Sequence, residues 1–193
     1  MNRLIFLTAF LGLTALPGLA RAEFVHAKLT GFQEVPSVAT PARGEFRARI
    51  SKDEQSIDYE LSYEGLQNTI SQAHIHFAQR SVNGSIVIWL CGTATNLGPA
   101  GTQTCPASPG TITGTITSSN VIDAGTASQL ILAGELAEVI RAIRAGKTYA
   151  NIHALPLNGG GEIRGQIRPV HRHGDKDNDH DKDQDKDKHD HRR

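Results

Sequence analysis

Patterns that usually announce a reaction are missing from this chain. No serine, histidine and aspartate fall in the order of a nucleophilic triad, no pair of carboxylates is spaced for general acid and base work, and no glycine-rich loop has the form that cradles a phosphate. Net charge is missing too. The 20 Lys and Arg are matched by 20 Asp and Glu, so long-range attraction draws in neither nucleic acid nor an anionic membrane. Cysteine is reduced to Cys91 and Cys105, too far apart for the C-x-x-C form of a redox pair. The longest apolar run, residues 4–16, falls short of the roughly 20 residues a membrane span needs.

That run has a different use. Asn2 and Arg3 precede it, and Pro17, Gly18 and Ala20-Arg21-Ala22 follow it. A positive start, a short apolar core and an A-x-A site predict a signal peptide over residues 1–22, with Glu23 the first mature residue and no span left after cleavage. The chain is therefore expected to be exported, to the periplasm, the cell surface or the medium. In such a compartment the two cysteines read as a disulfide closing a small loop rich in Gly, Thr, Asn and Pro.

The other end carries no apolar side chain. Residues 171–193 are almost entirely Asp, Lys, His and Arg, a composition that cannot bury enough surface to offset the entropy of ordering, so a disordered tail is predicted. Its five histidines, His171, His173, His180, His189 and His191, lie among eight aspartates and have the chemistry for weak capture of metal ions. The string DKDNDHDKDQDK does not make an EF-hand, because His180 stands where the turn glycine belongs and Lys186 where the bidentate glutamate belongs.

Residues 23–170 remain as one folding unit. Apolar and polar residues alternate at Val25, Ala27 and Leu29, at Phe46, Ala48 and Ile50, and at Ile57, Tyr59, Leu61 and Tyr63, the last two runs forming a hairpin across Lys52-Asp53-Glu54-Gln55. Further strands are predicted over residues 73–77, 86–90, 111–117, 148–154 and 162–167. About eight short strands with Gly, Pro and Asn between them predict an all-β sandwich or a Greek-key barrel. One segment breaks the rhythm. Leu136, Val139, Ile140 and Ile143 recur at helical spacing and Gly146 follows as a C-cap, so an amphipathic helix is expected before the last two strands.

Three histidines stand out. His74 and His76 are two apart in a predicted strand and share a face; His153 lies in another predicted strand with Asn151 in phase. If those strands are neighbours, three imidazoles converge and leave a position open, a donor set suited to zinc or copper. The competing expectation is structural: the same imidazoles bonded to loop backbone or to Glu162 and Arg164, with Arg164, on the same alternating face as Glu162 and Gln166, expected in a cross-strand salt bridge. His26 alternates in phase with Lys28 and is expected in solvent. Asn83-Gly84-Ser85 has the form of a glycosylation acceptor and of a hairpin turn, and Gly159-Gly160-Gly161 that of a turn into the last strand.

Several strings together carry a resemblance. The segment LTGFQEVPSVATPARGEFRARI at residues 29–50, AHIHF at 73–77, and IRAIRAGKTYANIHALPLNGGGEIRGQI at 140–167 resemble the CHRD domain, the chordin-type domain also found in secreted bacterial proteins. The resemblance covers residues 24–167. It implies an immunoglobulin-like β-sandwich in an extracellular setting, with no catalytic residues assigned, and hence a non-enzymatic module for an unidentified protein or polysaccharide partner. The excursion between Cys91 and Cys105 and the charged tail lie outside the family pattern. The H-x-H strand and the later G-x-I-R-G-Q-I are also similar to copper/zinc superoxide dismutases, which would imply copper, but such a site needs a fourth imidazole and His26 does not supply it.

Overall fold

The computed structural model describes residues 22–125 and 129–170. The expected signal peptide, up to residue 21, and the whole charged tail lie outside the described residues. Alternation becomes strand where it was read: β1 (Glu23–Thr30), β2 (Arg43–Ile50), β3 (Ile57–Glu64), β4 (Thr69–Phe77), β5 (Ser85–Cys91), β6 (Gly110–Ile116), β7 (Thr148–Leu155) and β8 (Asn158–Gln166). A two-residue strand, β9 (Arg168–Pro169), pairs with β1. The β2–β3 hairpin runs in unbroken register from Arg43 opposite Glu64 to Ile50 opposite Ile57.

The layers differ from the sandwich expectation. All strands join one sheet in the order β5-β4-β7-β8-β1-β2-β3-β6, which curls into a nearly closed barrel in place of two sheets packed face to face. Period-two alternation marks which face is buried but not what buries it, and here the sheet folds over its own inner face. The two edge strands approach each other: Ile88 of β5 bridges Val121 just beyond β6, and Tyr59 Oη donates to the Leu90 carbonyl at 3.3 Å. The Cys91–Cys105 disulfide, as expected, ties the end of β5 to the segment entering β6. Leu29, Phe46, Leu61, Ile75, Leu90, Ile112, Ile152 and Ile163, one from each long strand, meet in a single apolar core.

The predicted helix is α1 (Leu136–Arg144), and it buries Leu136, Val139, Ile140 and Ile143 against that core. Gly146 closes it at φ 62°, with its N–H on Ile143 O and the Lys147 N–H on Ala142 O. That pair of bonds is the Schellman arrangement, which a residue with a Cβ adopts only under strain. The helix precedes β7 and β8, with the short β9 after them. No helix among the described residues is long and apolar enough to cross a membrane.

Candidate metal centre

β4 and β7 are direct neighbours, antiparallel, with His74 opposite Asn151, His76 opposite Tyr149 and His153 opposite Gln72. The condition set by the sequence is therefore met, and His74, His76 and His153 share one face of adjacent strands. Their ring centroids lie 5.1 Å (His74–His153), 5.5 Å (His74–His76) and 6.1 Å (His76–His153) apart. One nitrogen from each ring falls within 4.8 Å of the others. Each histidine also sits where the ladder slips: register shifts fall between Ala73 and His74, between Ile75 and His76, and between Ile152 and Ala154. Such irregularities re-aim side chains out of the regular pleat.

The face they occupy is not open to water. All three imidazoles are buried, although the opposite face of the same strands already forms the core. His76 Nδ1–H donates to the Gly84 carbonyl at 3.0 Å and His153 Nδ1–H to the Gly159 carbonyl at 2.9 Å. A carbonyl can only accept, so in each neutral ring the proton is on Nδ1 and Nε2 carries the lone pair. Neither Nε2 has a hydrogen-bond partner, and His74 has none at either nitrogen, among the described residues. A ring held by Nδ1–H to a carbonyl with its other nitrogen free is the usual posture of a metal-ligating histidine. The structural reading accounts for two of the six ring nitrogens and leaves the converging ones without a role.

Electrostatics keep these lone pairs available. Burial, with His153 and His76 close by, pushes His74 down to about 2. Burial pushes His76 down to about 4 against the pull of its bond to Gly84, and it lowers His153 as well. All three are neutral near pH 7, the form that ligates.

Other side chains wall the cluster. Trp89 of β5 meets the His74 ring edge-on at 4.2 Å, and Tyr149 stacks on His76 at 4.6 Å and 4°. The disulfide loop backs the indole: a Cβ on Gly98 would come within 2.7 Å of Trp89. Behind Tyr149 lies the Arg164 guanidinium, 3.4 Å from the ring centroid.

Two expectations are corrected here. Arg164 makes no salt bridge among the described residues; it is buried and donates to Asn83 Oδ1, Val82 O and Gln79 O, holding the β4–β5 loop on the sheet. Glu162 accepts instead from Thr40 Oγ1 and the Gln67 N–H, both at 2.8 Å. The glycine run is part of β8, and Gly161 is needed because a Cβ would meet Glu34 Oε1 at 2.6 Å and Asn151 Nδ2 at 2.7 Å. His26 is exposed as expected. Asn83 bonds Val35 O through Nδ2 as well as accepting from Arg164. Trp89, Tyr149 and the carbonyls of Gly84 and Gly159 carry no sequence signal for a place in this site.

A family model for the CHRD domain matches residues 25–167. The chain belongs to the CHRD-domain family. No match was found among curated proteins or among solved structures. The match ends before the tail and spans the three histidines, the helix and the disulfide loop, so the cluster lies inside the CHRD domain.

Proposed function

We propose that this CHRD domain is an exported metal-binding module that holds one zinc or copper ion through Nε2 of His76, Nε2 of His153 and one nitrogen of His74. The observation that carries the reading is the convergence of buried, neutral, unpartnered ring nitrogens, two of them with their tautomer fixed by backbone carbonyls. Leaving buried polar atoms unsatisfied costs roughly 1–3 kcal/mol each, and an ion repays that cost. Three neutral nitrogen donors suit zinc and either oxidation state of copper, and leave a further position open. The role proposed is retention of the ion, within a module whose loops meet a protein or polysaccharide partner. Export rests on the leader pattern of residues 1–22, and the disulfide is consistent with an oxidising compartment.

The test is metal content after dialysis, measured on the full chain and on a version ending at Val170 so that the histidine tail cannot supply the ion. One zinc or copper per chain in both, lost on His74→Ala and on His153→Ala, is the expected result. Copper binding should also quench the chain's one tryptophan, which lies against His74. Failure of the shortened chain to retain or rebind metal would sink the proposal. Superoxide turnover by the copper-loaded protein would turn the module into an enzyme.

A further inference from the structure

Beyond Tyr149, on the side away from the histidines, the loop after β1 and the loop after β4 enclose a cavity of about 280 Å³. Its lining includes Phe32, Glu34, Ser37, Arg80, Arg164 and Gln166. The volume is near the lower end of ligand pockets, which run from roughly 300 to 1,000 Å³, and has room for one ring and not for a chain.

The lining is unusual in what it leaves unused. Arg164 is fully buried, yet no carboxylate pairs with it among the described residues. Its hydrogen bonds to Asn83, Val82 and Gln79 use three of its five N–H donors. Arg80 adds a second, exposed guanidinium at the rim. Glu34 cancels these charges only in part: its carboxylate accepts from Asn151 Nδ2 at 2.6 Å, and burial, resisted by Arg164 and by that bond, pushes it up to about 7. Gln166 lines the cavity with its amide nitrogen spent on the Ala78 and Gly146 carbonyls, while Ser37 donates its hydroxyl to the Phe32 carbonyl and keeps lone pairs with which to accept. Phe32 stands 76% exposed beside these polar groups, a flat apolar surface with nothing on it.

Two cations call for an anion. A hydroxyl oxygen free to accept and a carboxyl call for hydroxyl groups, and an exposed aromatic face calls for an apolar C–H face. A pyranose ring with one C–H face, one carboxylate and several hydroxyls meets all three demands. We propose that this cavity binds a single carboxylated sugar residue, its carboxylate held by Arg80 and Arg164, its hydroxyls by Glu34 and Ser37, and its ring face against Phe32. The same residue occurs free or as the end of an acidic polysaccharide.

The site is separate from the proposed metal centre, and the experiment keeps them apart. The full chain, metal-stripped and metal-loaded, is titrated calorimetrically with glucuronate, glucose, acetate and a short uronate oligosaccharide. Glucuronate is expected to bind both forms alike, with glucose and acetate each at least about tenfold weaker, the size of effect that losing a charged hydrogen bond produces. Arg80→Ala, which touches only an exposed side chain, should weaken glucuronate by about tenfold and leave the thermal midpoint unchanged. A tighter oligosaccharide would assign the residue to a polysaccharide end; equal affinities would assign it to the free acid, and both support the cavity. Acetate binding as well as glucuronate, no binding by any sugar acid, or an unaltered affinity in Arg80→Ala would overturn it. Affinity confined to the metal-loaded form would place the ligand on the ion and overturn it as well, whereas a chain that holds no metal leaves this titration intact.

Discussion

The two halves of the sheet obey the same period and carry opposite exteriors. In β1, β2, β3 and β6 the outward residues are those of a solvated surface: His26, Lys28, Arg47 and Glu60 are exposed while Val25, Ala27, Phe46 and Leu61 are buried. In β4, β7 and β8 the outward residues are polar as well, yet His74, His76, Asn151, His153, Arg164 and Gln166 are all buried. Loops make the difference. The segments after β1 and β4 lie over the second half and leave the first bare, and polar groups under them must find partners in carbonyls, in each other or in a ligand. A polar face is thus a surface in one half and a site in the other.

The comparison is tested most severely by cutting each half on its two faces. In the first half, Phe46→Ala should cost about 3–5 kcal/mol in urea unfolding, the range for an aromatic removed from a packed core. Arg47→Ala on the same strand should leave the urea midpoint where it was. An equal response at both positions would erase the distinction between the faces.

Between pH 7 and 5, acid should act mainly on the second half. Unfolded imidazoles titrate near 6.5 while the three folded ones are depressed, so the unfolded chain binds more protons once the pH falls below 6.5. Stability present above pH 6.5 is then lost toward pH 4, by up to about 1.4 kcal/mol per pH unit for each imidazole. Glu34 works the other way. Its folded value of about 7 stands above the unfolded 4.5, so its contribution is present below 4.5 and lost as the pH rises to 7. Between 4.5 and 6.5 it offsets about one of the three protons. Urea midpoints of the metal-stripped protein at pH 7, 6 and 5 should fall steeply, and more steeply in Glu34→Gln; a flat profile would mean that the histidines are not held neutral.

Removing the disulfide with Cys91→Ser and Cys105→Ser together should cost about 3 kcal/mol by the loop-closure argument for a separation of 14 residues. It should also disturb the metal centre, because the loop backs Trp89 against His74. Tryptophan emission and metal content report that second effect; a pair of serines that lowers stability and leaves both unchanged would detach the loop from the site.

The smallest shift carries the opposite sign. His74→Leu removes two buried nitrogens that have no partner and should leave the metal-free protein as stable or about 1–2 kcal/mol more stable, while abolishing metal retention. A large loss of stability in the metal-free form would show that His74 is a packing residue first.

Much of the fold was legible because local pattern reports local structure. The β2–β3 hairpin, the helix with its Gly146 cap and the positions of the later strands lie where alternation and helical spacing put them. The three histidines were legible as a set, but the posture of each was not. Register slips at Ala73/His74, Ile75/His76 and Ile152/Ala154 arise where strands must accommodate their neighbours, and no window of sequence around a single strand contains its neighbour. The expected cross-strand salt bridge of Arg164 is absent among the described residues for a related reason: alternation places Arg164 on the polar face, yet the β4–β5 loop reaches it with backbone carbonyls in place of a carboxylate on a neighbouring strand.

The sequence by itself determined that the domain is β-rich, that it carries one helix, that two cysteines close a loop and that three histidines fall in phase on two strands, because side-chain periodicity and spacing are properties of the chain alone. Only the tertiary structure decided that the sheet curls on itself, that β4 lies beside β7, and that a face of polar residues is covered by loops. Those outcomes depend on contacts between segments distant in sequence. They turn three histidines in phase into buried, neutral nitrogens aimed at one point.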